Sequence, residues 1–249
     1  MSGHSHWAGI KYKKAALDAK RGKAWSKIAR MIIVAAKQGG GDPSANLTLR
    51  YAIDKAKAAN MPKDTIEKAI KKGTGELEGV SYEEVLYEGY GPNGVAIMVE
   101  ALTDNRNRTG PEIKRLFEKH NGSLGTSGCV NWMFTKKGLI TVNAANADEE
   151  QLMEIALSAG AEDMQAVGEV FEITCDPGAY EELKKTLQEK EIPIEVAEIS
   201  MVPQSTIDIA DEHTARKIIS LMEAFEDHED VQNTYANFDI PVEIIAQIS

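Results

Sequence analysis

Apolar positions change period partway along the chain. Over residues 23–38, Trp25, Ile28, Ile32 and Ala36 recur at three- and four-residue intervals and share one face of a helix. A shorter helix is expected over 12–21, ended at Gly22, while residues 1–10 show no helical period. Gly39-Gly40-Gly41 stops the long helix. Asp42-Pro43 then reads as an N-cap and first-turn pair for a helix running to about residue 60, with Leu49, Ile53 and Ala56 inward. Met61-Pro62 breaks that helix, and 63–72 forms a last short one closed by Gly73. Residues 73–79 read as a linker.

Beyond the linker the period becomes two. Strands are expected over 85–90 and 95–102, joined by Gly91-Pro92-Asn93-Gly94. A helix over 110–120, with Ile113, Leu116 and Phe117 inward, is followed by a strand over 129–135. Next comes a regular series: strand 139–142, helix 148–158, strands 163–167 and 169–174, helix 178–189, strand 195–201. This βαββαβ order is that of a ferredoxin-like unit. Asp148 and Asp176 stand where N-caps belong, and Gly168 where the hairpin turns. The remainder (strand 206–209, helix 211–225, strand 231–237) is too small to fold alone and is expected to complete a sheet with 80–135. The fold class is therefore α+β and multidomain. An N-terminal all-α domain (1–78) precedes a discontinuous α/β domain (79–136 plus 203–249), in which a ferredoxin-like α/β domain (137–202) is inserted.

Charge sharpens the boundary. Residues 1–72 hold sixteen Lys/Arg against five Asp/Glu, whereas the rest holds twelve against thirty-four. The overall −11 thus hides a basic arm on an acidic body. Lys11, Lys13, Lys14, Lys20, Arg21, Lys23, Lys27 and Arg30 crowd a stretch with one acid, Asp18, and Lys37 extends the stripe. Such an arm seeks polyanions, and such a body repels them. Lysine dominates, which suits phosphate contact better than base-edge readout. Helices 44–60 and 63–72 resemble a helix-turn-helix, but the second offers few base-reading side chains. His4, His6 and Trp7 could add phosphate or stacking contacts. Arg106 and Arg108, between a strand end and a helix start, could hold a phosphate or simply belong to a cap-and-turn network.

Other chemistry finds little support. Gly89-Tyr90-Gly91-Pro92-Asn93-Gly94 fits G-x-G-x-x-G literally, yet a strand follows it where a dinucleotide site needs a helix, so it reads as a hairpin turn. The triple glycine lacks the Gly-Lys-Ser/Thr ending of a P-loop. The histidines are scattered, and Cys129 and Cys175 lack close ligand neighbours, so no metal or cofactor is expected. No catalytic constellation is recognisable, and an enzyme is not expected. The thiols are expected to be buried and reduced in a cytoplasmic protein, with no membrane segment.

Several long motifs resemble the YebC/PmpR family. They are Gly3-His4-Ser5-x-Trp7-Ala8-x-Ile10-Lys11, Asp18-Ala19-Lys20-Arg21-Gly22-Lys23, Gly39-Gly40-Gly41-Asp42-Pro43, Ala52 through Asp64, Tyr87-Glu88-Gly89-Tyr90-Gly91-Pro92 and Thr103 through Thr109. The resemblance spans essentially the whole chain. It implies a three-domain, non-enzymatic protein of the kind described as a DNA-binding transcriptional regulator. It also implies an alternative, a ribosome-associated translation factor that binds rRNA or tRNA and assists synthesis of proline-rich stretches. The basic arm itself leaves a second alternative open, a protein-interaction adaptor docking on an acidic partner or on its own body.

Overall fold

A computed structural model describes residues 21–248. The helix expected over 12–21 therefore lies, but for its last residue, outside the described residues.

Three helices come first. Helix α1 spans Arg21–Gly39, so Gly22 falls within a first turn instead of ending a helix. Helix α2 spans Leu47–Ala58 and starts later than expected, because Asn46 and not Asp42 is its cap. The Asn46 side chain accepts from the Leu49 amide and donates to the carbonyls of Ala35 and Gly40, both at 2.8 Å, tying the end of α1 to the start of α2. Asp42 instead closes a local turn on Ser44. Helix α3, Lys63–Thr74, continues through Gly73 and ends at Gly75, whose φ of 82° is left-handed. Gly73 stands where α3 crosses α1: a Cβ there would lie 2.4 Å from the Ile33 carbonyl oxygen. The three helices bury Ile28, Ile32, Leu49, Ala52, Ala56 and Ile66 between them.

The next layer is a four-stranded sheet. Strand β1 (Glu83–Tyr90) pairs antiparallel with β2 (Ala96–Thr103) through a tight turn at Pro92–Gly94, where Asn93 and Gly94 take φ of 59° and 75°. The glycine-rich stretch is thus a hairpin, as its turn chemistry predicts. Helix α4 (Arg106–Lys119) starts a turn earlier than expected, capped by Asn105 and carrying Pro111 inside it. Strand β3 (Ser123–Leu124) flanks β1.

The ferredoxin-like unit follows. Strand β4 (Phe134–Asn143) is one continuous strand, not the two expected at 129–135 and 139–142. Gly138 marks a close approach in it, since a Cβ there would lie 2.5 Å from the Cys175 sulfur. Residues Asn131–Met133 form a 3-10 turn. After β4 come α5 (Glu149–Ser158), β5 (Ala161–Val167), β6 (Val170–Cys175), α6 (Tyr180–Glu189) and β7 (Ile194–Pro203). Their antiparallel order is β5-β6-β4-β7. Asp148 caps α5, whereas Asp176 only closes a turn onto Gly178 and Ala179 precedes α6. Leu152 of α5 and Leu183 of α6 pack over Ile140, Val142, Phe171 and Ile173.

The chain then returns to the first sheet. Strand β8 (Ile207–Asp208) does not join that sheet as expected. It pairs in parallel with β10 (Phe238–Asp239) as a separate ribbon. Helix α7 (Glu212–Asp227) packs beside α4, with Phe117 and Phe225 ring centroids 4.8 Å apart. Strand β9 (Val231–Ala236) completes the order β3-β1-β2-β9. A final helix, α8 (Val242–Ile248), sets Ile244 and Ile245 against the same core. Among the described residues no helix is long and apolar enough to cross a membrane.

Candidate nucleic-acid interface

Helix α1 carries the described part of the basic stripe, and two of its cations contact the acidic end of α7 and the bend that follows it. Lys27 Nζ donates to the Glu226 carbonyl at 2.6 Å. Arg30, whose side chain is 16% exposed, donates to Asp230 Oδ1 at 2.9 Å and to the Glu229 carbonyl, and its guanidinium lies 5.5 Å from the centre of the Tyr82 ring. These contacts join positions about two hundred residues apart, a separation no local pattern reveals. Lys37 stays exposed and donates to Ser81 Oγ at 2.6 Å. Arg21 and Lys23 fall in the first turn of α1. Lys11, Lys13, Lys14, Lys20, His4, His6 and Trp7 lie outside the described residues.

Asp230 is the centre of the joint. Its carboxylate also accepts from Arg108 Nη2 and Thr109 Oγ1, each at 2.6 Å. Burial pushes this carboxyl up, but Thr109, Arg108 and Arg30 together outweigh burial and hold it below the usual carboxylate range. The Asp230 hydrogen bond and charge push Arg108 up in turn. Arg108 also pairs with Asp104 at 3.1 Å, and Arg106 makes an exposed pair with Glu83 at 3.7 Å. Thr103 and Thr109 hydroxyls meet at 2.7 Å while Asn105 accepts from the Arg108 amide. The arginine loop is therefore a cap-and-turn network whose second arginine faces Asp230. Beside this joint a cleft of about 610 Å³ opens between Arg30, Arg115, Lys119 and His228.

The outer faces of α2 and α3 add cations that the sequence stripe did not include. Arg50, Lys68, Lys71 and Lys72 are exposed, and Lys63 and Lys57 make only exposed pairs on their own helices. The signal for them was present as basic residues outside each apolar face. Lys55 reaches Glu198 at 3.9 Å, and Tyr51 packs edge-on against Tyr180, so α2 also touches the ferredoxin-like unit. Burial, with Glu181 nearby, pushes the Tyr51 hydroxyl up to about 12.

No group of three or more His, Cys, Asp or Glu side chains that could hold a metal occurs among the described residues. Cys175 is buried and Cys129 half-buried; both are free thiols that burial pushes up, so neither is an activated nucleophile.

Two family descriptions match this chain. "TACO1/YebC protein N-terminal domain" covers residues 5–76, and "TACO1/YebC second and third domain" covers 82–238. The chain belongs to the TACO1/YebC family. A "probable transcriptional regulatory protein" of Dictyoglomus thermophilum is 55% identical over 250 residues, covering the whole of both chains. One of the same name from Natranaerobius thermophilus is 54% identical over 243 residues, covering 96% of this YebC-family chain and 97% of its own. The crystal structure of a conserved hypothetical protein from Aquifex aeolicus superposes with a TM-score of 0.86 at 54% identity, covering 97% of this chain and 99% of that one.

Proposed function

We propose that this chain is a non-enzymatic regulator of gene expression that binds nucleic acid through its basic N-terminal region. The observation that carries this is the division of charge, sixteen basic against five acidic residues before position 73 and the reverse excess after it. Polyphosphate is drawn to the basic end. The regulatory names of full-length relatives at 54–55% identity support the same reading. The phosphate contacts are assigned to Lys11, Lys13, Lys14, Lys20, Arg21, Lys23 and Lys37. Lys27 and Arg30 have a different task, because both hold α1 against the acidic end of α7 and the bend that follows it. Lysine contacts of this kind position the protein and leave sequence largely unread.

The test uses duplex DNA and a structured RNA. Binding should fall about 10³-fold or more between roughly 50 and 200 mM salt if about six phosphates are neutralised. Changing Lys13, Lys14, Lys20 and Lys23 together to Glu should abolish binding of both, with a thermal melt checking that the variant stays folded. Wild-type affinity in that variant would refute the assignment. Lys27 and Arg30 are left intact, since changing them would disturb the joint as well as the charge.

A further inference from the structure

Trp132 is the most exposed of the large apolar side chains described, at 69%. It does not hang from a loose loop. The carboxylate of Glu88, itself 3% exposed, accepts from the amides of Gly128, Val130 and Asn131 at 2.6, 2.9 and 2.7 Å. The Gly125 amide donates to the Glu88 carbonyl at 2.8 Å. Val130 plugs the loop into the sheet against Ala96, Met98 and Phe134. Gly128 takes a φ of 86°, which favours glycine, and a Cβ on Gly125 would lie 2.5 Å from the Cys129 sulfur, so the loop is tightly turned at both positions.

The loop holds a second aromatic in register. Tyr90, 37% exposed, donates its hydroxyl to the Cys129 carbonyl at 3.1 Å, and Trp132 Nε1 donates to that same oxygen at 3.1 Å. Two rings thus converge on one acceptor with their polar ends already engaged. What stays exposed on each side chain is therefore mainly ring surface.

We infer that Trp132 and Tyr90 form a stacking platform for an unpaired nucleobase, in the nucleic acid whose phosphates the basic arm holds. The inference rests on the proposed function. A base offers a flat π face at every position and needs only a ring-sized surface. A protein partner needs on the order of 1,000 Å² with a contiguous apolar centre. Along this segment Asn131, Thr135 and Lys136 are polar and exposed, Met133 is half-buried against the sheet and Phe134 is buried. Lys136 suits the phosphate that accompanies a base. Glu88 is a positioning residue, holding the loop that displays the indole.

The experiment compares single-stranded oligodeoxyadenylate with an abasic strand of equal length, using the full chain. Trp132→Ala should weaken oligodeoxyadenylate binding roughly 5- to 100-fold, the range expected for one stacked base, and leave abasic binding and its salt slope unchanged. Trp132→Phe, which keeps a π face, should recover most of the affinity. Trp132 is exposed, so neither variant removes a core side chain, and a thermal melt verifies the fold. Equal affinity of Trp132→Ala and wild type for oligodeoxyadenylate would overturn the platform while the phosphate-binding reading stands. Parallel weakening of both strands would also overturn it, as would Trp132-dependent self-association in sedimentation without nucleic acid. Failure of wild type to bind either strand at low salt would remove the proposed function itself.

Discussion

Two buried carboxylates do most of the local organising, and each uses a different kind of donor. Glu88 is held by three backbone amides and Asp230 by two guanidinium groups and a hydroxyl. For Glu88, burial pushes the carboxyl up, but the amides of Gly128, Val130 and Asn131 together outweigh burial and hold it below its ordinary value. The ionised form is thus favoured by folding. Its contribution is complete above the unfolded glutamate value of about 4.3 and disappears as pH falls through the lower folded value. In an acid titration followed by NMR, the Gly128, Val130 and Asn131 amide shifts should move together, with a midpoint below that of exposed glutamates. A shared midpoint at the ordinary glutamate value would show that the amides do not retain the charge. The sequence marks Glu88 only as an acid in a strand. Its partners lie forty or more residues away, and nothing local points to them.

Among the secondary elements, the existence and type of nearly every long helix and strand could be read from apolar periodicity, and the ferredoxin-like order came through intact. Three of the misplaced ends involve glycine. Gly22 and Gly73 read locally as stops and Gly138 falls in the expected gap between two strands, yet each lies inside an element. At Gly73 and Gly138 a neighbour occupies the space of a missing side chain: the Ile33 carbonyl at one and the Cys175 sulfur at the other. Tertiary contact selects glycine there, and local propensity only sees a helix or strand breaker. Gly73→Ala makes the distinction measurable. Propensity alone would stabilise α3 by about 1 kcal/mol. A Cβ 2.4 Å from a backbone oxygen must instead push α1 and α3 apart, so the expected net result is destabilisation of about 1–3 kcal/mol. Denaturant unfolding decides the sign. The β8 strand exists as expected, but its pairing with β10 is hidden for a different reason, since two-residue strands carry no periodicity that would fix their partner.

Across the whole molecule, the basic helical region and the acidic remainder meet at Asp230. The charge division was visible in the sequence. That Lys27 and Arg30 serve the joint was not, because a cationic stripe looks the same whether it faces solvent phosphate or an internal carboxylate. Asp230→Asn keeps the side-chain shape but removes the charge that Arg30 and Arg108 share. Breaking a buried pair in this way costs about 3 kcal/mol, the low end being apt because Arg108 is 44% exposed. Hydrogen exchange should show α1 amides losing protection more than those of α6, which lies away from the joint. Uniform loss across both helices would mean that the pair supports the whole fold and not the seating of the arm.

The ferredoxin-like unit enters through β4 and leaves through β7, and these strands lie side by side with Phe134 opposite Pro203. An antiparallel stem of this kind is a plug-in attachment. A short reverse turn across that first rung would rejoin the backbone with its two ends already in place, and the lengths of α5, α6 and their loops can drift without disturbing the register of β1, β2 and β9. Variation in size among related chains should accumulate there, on the distal tip of the stem, and spare the rungs nearest Phe134.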